Sequence, residues 1–414
     1  SPAMVFYSRC YFQEMSLVFF TFATIALGWR FHRHRIATWA ILSGICAGLM
    51  FVTKETCIIA YSAILLGTAI NILWYRWHKK IDDWPVGHLS TWPVLVGTVA
   101  GVVFSALFFS SFAKHPWGIV DSVKAYQTYC YRGYCGGDHV QPWTYYLQML
   151  LLWEVGRGPV WSEGLVLALA AVGVALSFRK RLPDGDPIFL RFLAFYAILM
   201  VAFYSAIPYK TPWCMLSFHH ALILLAGFGA SALLRMTRQR LSKVVVFCLL
   251  LLGTGHLGWQ SYLASYRFST DTRNPYVYAH TVPSLLKLVD RVQAVVDVSP
   301  KREDTVILVV SQDYWPLPWY FRGFRHVGYW ENIRDREYPE SPLIITSVAF
   351  SHVVEQKFGT GYKSEFYGLR PDVMLVLHIR DDLWDAFMET RRQVLPGAIS
   401  WDICPPSHTQ AEDS

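Results

Sequence analysis

Formal charge is scarce in this chain: Asp, Glu, Lys and Arg make up 16% of its 414 residues, while 53% are hydrophobic. With a mean hydropathy of +0.28, that scarcity excludes an ordinary soluble enzyme of this size and makes the bilayer its solvent. A continuous basic stripe is missing too. The net charge of +7 is dispersed in short clusters between apolar runs, which argues for membrane topology and against nucleic acid as a partner. The eight cysteines show no Cys/His spacing of zinc-finger type, so no metal site is expected; the sequence implies no certain cofactor and does not decide whether a divalent ion takes part. Internal repeats and low-complexity tracts are lacking, as is a buried chain of acids, which disfavours an ion-coupled transporter. No charged segment followed by a secretory-type apolar core opens the chain. A polar motif close to Ser1 instead leads us to expect an N-terminal truncation.

What is present is apolar sequence in long runs. They lie at Glu14 to Trp29, Thr38 to Thr53, Thr56 to Tyr75, Trp92 to Ala113, Glu163 to Phe178, Ile188 to Pro208, Cys214 to Leu234 and Val244 to Tyr262. A span needs roughly 17 to 25 residues, so about eight spans are predicted. Arg30, Arg33 and Arg35, then Arg76, Lys79 and Lys80, then Arg179, Lys180 and Arg181, then Arg235, Arg238, Arg240 and Lys243 occupy every second connector. Those connectors are expected on the cytoplasmic side, and the alternate ones outside. The 17 Trp and 23 Tyr suit interfacial anchoring. The chain is accordingly read as a polytopic α-helical protein integral to a plasma or inner membrane.

After Tyr262 the pattern changes. A helix is predicted over Val282 to Val298, strands at Thr305 to Ser311, Leu343 to Ser347 and Val373 to Ile379, and helices at Ala349 to Phe358 and Asp381 to Arg391. The expected organisation is a membrane domain over 1–262 with a long outward loop at 114–161, a soluble extracytoplasmic α/β domain over 263–404, and a disordered tail at 405–414.

Three outward segments carry unusual polar residues. Ser8-Arg9-Cys10-Tyr11-Phe12-Gln13-Glu14 places Arg9 and Glu14 at the mouth of a span, where the guanidinium could hold phosphate oxygens and the carboxylate accept a proton; equally, the two could pair or snorkel. Thr53-Lys54-Glu55-Thr56 interrupts one long apolar run, and a turn is expected because Lys54 at mid-bilayer would cost roughly 2.5 to 3.5 kcal/mol. Ile207-Pro208-Tyr209-Lys210-Thr211-Pro212-Trp213 is a short turn made rigid by two prolines, suited to a phosphate or simply part of an aromatic interface belt.

The long loop is rich in aromatics around Gln141-Pro142-Trp143-Thr144-Tyr145-Tyr146, with His139, Glu154, Arg157 and Glu163 nearby. It could cover a site as an interfacial segment whose rings stack on sugar. Cys130 and Cys135 in it are a disulfide candidate. His219 and His220 are read as polar contacts between helices. The aromatic cluster Gln312 to Tyr320 follows a predicted strand and is read as a docking surface for the membrane part or the bilayer.

Taken in order, Ser8, Arg9 and Glu14, then Gly48 to Lys54, then Lys210 with Pro212 and Trp213 resemble the motifs of polyprenyl-phosphate-sugar-dependent glycosyltransferases of the GT-C superfamily. Protein O-mannosyltransferases and the aminoarabinose transferase of lipid A, in and around glycosyltransferase family 39, are of this kind. Thr53 to Cys57, Gly156 to Glu163, Ile207 to Cys214 and Asp313 to Tyr320 further resemble the family named for association with flippase activity in archaeal N-glycosylation. The resemblance implies a GT-C-like fold and sugar transfer outside the membrane, from a polyprenyl-phosphate-linked donor to a lipid, glycan or protein acceptor. Arg9, Lys54 and Lys210 would bind the lipid phosphate, Glu14 and Glu55 would serve catalysis, and His139, Trp143, Tyr145 and Arg157 would attend the sugar. One departure stands out: the acidic residue such enzymes carry in a first outward loop has no counterpart here, so the chain as given is expected to be inactive. The alternative is a non-catalytic protein that binds or helps flip lipid-linked glycans.

Overall fold

The computed structural model describes residues 1–78, 91–135, 139–179, 185–332 and 340–394. It divides into two compact units, Ser1–Tyr278 and Ala279–Ser414. The boundary falls beyond the 262/263 expected from the apolar pattern, because the polar segment after the last long helix buries Asn274 and Tyr276 completely within the first unit.

The first unit is helical. Short α1 (Pro2–Ser8) precedes α2 (Gln13–His34), α3 (Ala37–Thr53), α4 (Cys57–His78), α5 (Thr91–Phe109), α6 (Gly118–Cys135), α7 (Tyr145–Leu151), α8 (Gly164–Ser177), α9 (Pro187–Ala206), α10 (Leu216–Met236) and α11 (Arg240–Tyr262). Local chemistry sets several ends. Asp186 caps α9 by accepting the N–H groups of Ile188 and Phe189, with Pro187 at the first helical position. Arg35 closes α2 in the left-handed region at φ 58°, so α3 folds straight back.

Among the described residues, six helical segments are long and apolar enough to cross a membrane: Gln13–His34, Cys57–His78, Thr91–Phe109, Pro187–Ala206, Pro212–Met236 and Arg240–Arg267. The other two of the eight apolar runs form α3 and α8, of 17 and 14 residues. At 1.5 Å per residue these reach only about 26 and 21 Å, against a hydrocarbon core of about 30 Å. Leu65, Leu73, Val102, Leu249 and Leu252 are among many large apolar side chains without protein cover. So large an apolar exterior suits lipid and not water. The molecule is a polytopic membrane protein.

Small residues fix the tightest packing. A Cβ on Gly44 would lie 1.9 Å from the Gly97 carbonyl oxygen, and one on Gly48 would lie 2.2 Å from that of Gly101. Two Gly-x-x-x-Gly faces, on α3 and α5, thus bring backbone against backbone, and Ser105 Oγ donates across the contact to Gly48 O at 3.0 Å. Gly48→Leu should therefore separate the two helices. A loss on the order of 3 kcal/mol is expected, read as a lower melting temperature in detergent, whereas Gly255→Leu, where an added Cβ meets nothing within 4 Å, should melt like the wild type.

Among the described residues the second unit contains a five-stranded sheet of order β2-β1-β3-β5-β4, with β1 Ile307–Val310, β2 Val327–Trp330, β3 Leu343–Ser347, β4 Tyr362–Arg370 and β5 Val373–Arg380. β1 is parallel to both neighbours and β5 antiparallel to β3 and β4. All of β1 is buried, as expected of a central parallel strand covered on both faces. Ile307, Val309, Leu343 and Ile345 pack in one core with Leu288, Val292 and Phe387 of the helices Ser284–Val298 and Asp381–Val394. Leu308, Val310 and Ile344 pack on the other face with Val354 of Ser351–Phe358. The predicted α/β alternation is observed; β2 and the edge strand β4 are additions to it. The expected tail at 405–414 lies outside the described residues.

Buried His378 on β5 is wedged between Thr346 Oγ1 at 3.1 Å and Ser364 Oγ at 2.8 Å. Burial pushes its pKa down to about 4, while a free imidazole titrates near 6.5. Between those values the unfolded chain binds more protons than the folded one. The contribution to stability is therefore complete above about pH 6.5, falls by about 3 kcal/mol as the pH drops towards 4, and is level below that. Amide protection in β3 and β5, measured from pH 7 to 4.5, should follow this slope, and His378→Gln should flatten it.

Candidate functional site

The helix hairpins sort the charged motifs to two ends of the first unit. Glu14 in the first turn of α2 meets Lys54 at the end of α3 in an ion pair, so these antiparallel helices bring the first and second motifs to one pole. Arg33 at the far end of α2 pairs with Asp186 at the start of α9, at 2.8 Å. The Lys210 turn at the other end of α9 therefore belongs to the Glu14–Lys54 pole, and the helix ends that carry Arg33 and Asp186 belong to the opposite one.

At the first pole the pair is nearly dry, with side-chain exposures of 14% for Lys54 and 4% for Glu14. A carboxylate at a helix start and an ammonium at a helix end each also meet the favourable end of a helix dipole. Burial works against the Lys54 charge, but Cys214 and the Glu14 carboxylate outweigh it and hold the pKa above its ordinary value. Cys214 and Tyr129 stand within electrostatic reach of the ammonium.

The long loop is tied to the third motif. Val140 bridges Tyr209 antiparallel, Gln141 N–H donates to Pro208 O at 3.1 Å, and Lys210 N–H donates to His139 O at 3.0 Å. Tyr146 hydroxyl donates to Thr211 O at 3.1 Å. A line of rings continues the link: Phe12 stacks on Trp213 at 4.9 Å, Trp213 meets Tyr278 edge-on at 5.2 Å, and Tyr278 hydrogen-bonds His139. Half-buried Tyr145 has its pKa pushed up to about 12, first by burial and then by the neighbouring Tyr278 and Cys214. Far from being one open loop, the segment contains α6 and α7.

The three cations expected to grip one phosphate have separate partners. Lys54 holds Glu14. Lys210 is 2% exposed, its ammonium donating to the carbonyls of Ser205, at 3.0 Å, and Ile207; it caps α9, and burial lowers its pKa. Arg9 is exposed, donates to Ser265 O at 3.2 Å and lies 4.2 Å above the Tyr266 ring. Glu55 is half-buried in the turn beside Lys54. Trp143 is largely exposed, and Arg157 is exposed near Gly156, whose φ is +57°. The side chains of Cys130 and Cys135, and with them the expected disulfide, lie outside the described residues. Among the described residues, no group of three or more His, Cys, Asp or Glu could hold a metal ion.

No family model, curated protein or solved structure matches this chain. The chemistry of the site therefore rests on its own residues.

A second polar centre lies fully buried nearby in the first unit, and the motifs did not reveal it. Glu163 at the start of α8 and His219 in α10 are both 0% exposed and 2.8 Å apart, His219 Nε2–H donating to Glu163 Oε2. Glu163 Oε1 also accepts from Ser1 Oγ and Ala3 N–H, each at 2.9 Å, and from Tyr276 hydroxyl at 3.3 Å. Three other chain segments thus close on one carboxylate. The expectation that His219 and His220 make polar contacts between helices agrees with this bond for His219; the His220 ring instead lies edge-on to Phe22 of α2 at 5.0 Å. The available signal was an ionisable residue at the edge of each of two apolar runs, which calls for a partner.

Proposed function

We propose that this protein is a membrane glycosyltransferase that moves a sugar from a polyprenyl-phosphate-linked donor to an acceptor hydroxyl at the Glu14–Lys54 pole, on the extracytoplasmic side. The observation that carries the reading is the nearly dry Lys54–Glu14 pair at the ends of α2 and α3, with Cys214 within electrostatic reach of both Lys54 and Tyr145 of the aromatic segment. As the bond between the sugar carbon and the phosphate oxygen breaks, the oxygen keeps the electron pair. Lys54 would stabilise the charge growing there, in a site with little water to screen it. The new bond forms to the acceptor oxygen, whose proton needs a base. Glu14 is within reach of Lys54 and would take that role once the ammonium turns to the phosphate, with Glu55 beside it. Tyr145 and Trp143 offer faces for the sugar. Arg9, held at Ser265 and Tyr266, stands at the edge of the same pole as a second phosphate contact.

A second reading, binding or flipping of a lipid-linked glycan without transfer, has one observation in its favour. Glu14 is engaged by Lys54 and so is not poised as a free base. Incubating membranes that contain the full-length protein with a panel of radiolabelled polyprenyl-phosphate sugars separates the two. Transfer of label to a lipid, glycan or protein supports the first reading. Retention of labelled donor without transfer supports the second, and neither retention nor transfer overturns both.

A further inference from the structure

At the pole opposite the candidate site, an apolar cavity of about 360 Å3 lies between α2, α3, α4 and α9. That is within the range of about 300–1,000 Å3 typical of ligand pockets. Ile25, Trp29, Ile64, Ile72 and Phe192 line it, and Thr68, exposed on α4, stands at its lip. Three of the four helices have spanning length and composition, so the medium around the cavity is lipid.

Its polar end is basic and incompletely satisfied. Asn71, 4% exposed and part of the lining, donates Nδ2–H to Ile188 O at 3.0 Å, which leaves its carbonyl oxygen without a partner. Arg191, one turn further along α9 and beside Tyr75 of α4, is 9% exposed, and its Nε has no partner. Among the described residues no carboxylate pairs with this guanidinium, and a buried charge of that kind calls for an anion. Arg76 follows the lining residue Ile72 by one turn on the same face of α4 and is exposed. Arg33, across the groove, already holds Asp186.

We infer that this groove is a binding site for an anionic phospholipid of the surrounding leaflet, one acyl chain filling the apolar cavity and the phosphate meeting Arg191 and Arg76. The cation pattern argues for a charged headgroup, and the Asn71 carbonyl for a headgroup that carries hydroxyl donors, as glycerol does. The site is separate from the Glu14–Lys54 pole, and the inference stands whether or not sugar transfer takes place there.

The test uses the whole protein in nanodiscs made with phosphatidylcholine alone or with added phosphatidylglycerol, with bound lipid counted by native mass spectrometry after release into detergent. Retention of phosphatidylglycerol in preference to phosphatidylcholine is expected. Arg76→Gln, a surface change that leaves the interior intact, should weaken that preference about fivefold. Thr68→Trp, which fills the lip, should remove the retained lipid while the protein elutes from size exclusion as the wild type does. Equal retention of the two lipids, an unchanged preference in Arg76→Gln, or displacement of phosphatidylglycerol by polyprenyl monophosphate at equal concentration would overturn the assignment.

Discussion

Glu163→Ala is expected to lower the stability of the helical unit by roughly 3 to 5 kcal/mol, the range found when one member of a buried ion pair is removed. The reason is the number of groups that lose their acceptor together: His219 Nε2–H, Ser1 Oγ, Ala3 N–H and the Tyr276 hydroxyl all converge on this carboxylate. Glu163, His219 and Tyr276 are all 0% exposed and have no water close at hand, while Ser1 is only half-buried. Thermal unfolding in detergent reads the loss directly. Glu163→Gln retains one acceptor oxygen and should lose less, and a double-mutant cycle with His219→Ala should show strong coupling, because the two share one network. If Glu163→Ala melts with the wild type, this centre does not hold the four segments together.

The second large effect concerns the opposite kind of site, where the charges are nearly dry but stand at the end of the bundle. In full-length protein, Lys54→Ala should reduce sugar transfer on the order of 10²- to 10³-fold, as expected when a main electrostatic contact to the leaving group is lost. Lys210→Ala should act mainly on folding, because its ammonium closes the end of α9 on the Ser205 and Ile207 carbonyls. The exchange Glu14→Lys with Lys54→Glu separates pairing from chemistry. It restores an ion pair, though each charge then meets the unfavourable end of its helix dipole. Inserted protein without transfer supports the proposed roles. Wild-type transfer in Lys54→Ala would take the residue out of the mechanism.

Much of the architecture could be read from the sequence because its determinants are local. All eight apolar runs are helices, and each begins or ends within a few residues of the expected limits, since desolvation of a continuous apolar run requires internally bonded backbone. β1, β3 and β5 were visible as buried apolar runs. β4 was not, because its sequence Tyr362–Arg370 is an edge strand with charged and polar residues along it, and its pairing with β5 is supplied by the neighbour. The boundary of the helical unit was displaced for a similar reason: the segment up to Tyr278 is polar in sequence but buries Asn274 and Tyr276 by tertiary contact.

The candidate site divides along the same line. By itself the sequence determined that the chain lives in a membrane, that an α/β unit follows the helices, and that Lys54 with Glu55 must occupy a turn, because the cost of burying charge and the periodicity of apolar residues act over a few neighbours. Only the tertiary structure decided that Lys54 pairs with Glu14, that Lys210 turns back onto its own helix, and that Glu163 finds His219 far along the chain. The partner of a charge is chosen by which helix ends the packing brings together, and close approaches such as Gly48 against Gly101 set that packing between residues the local pattern does not connect.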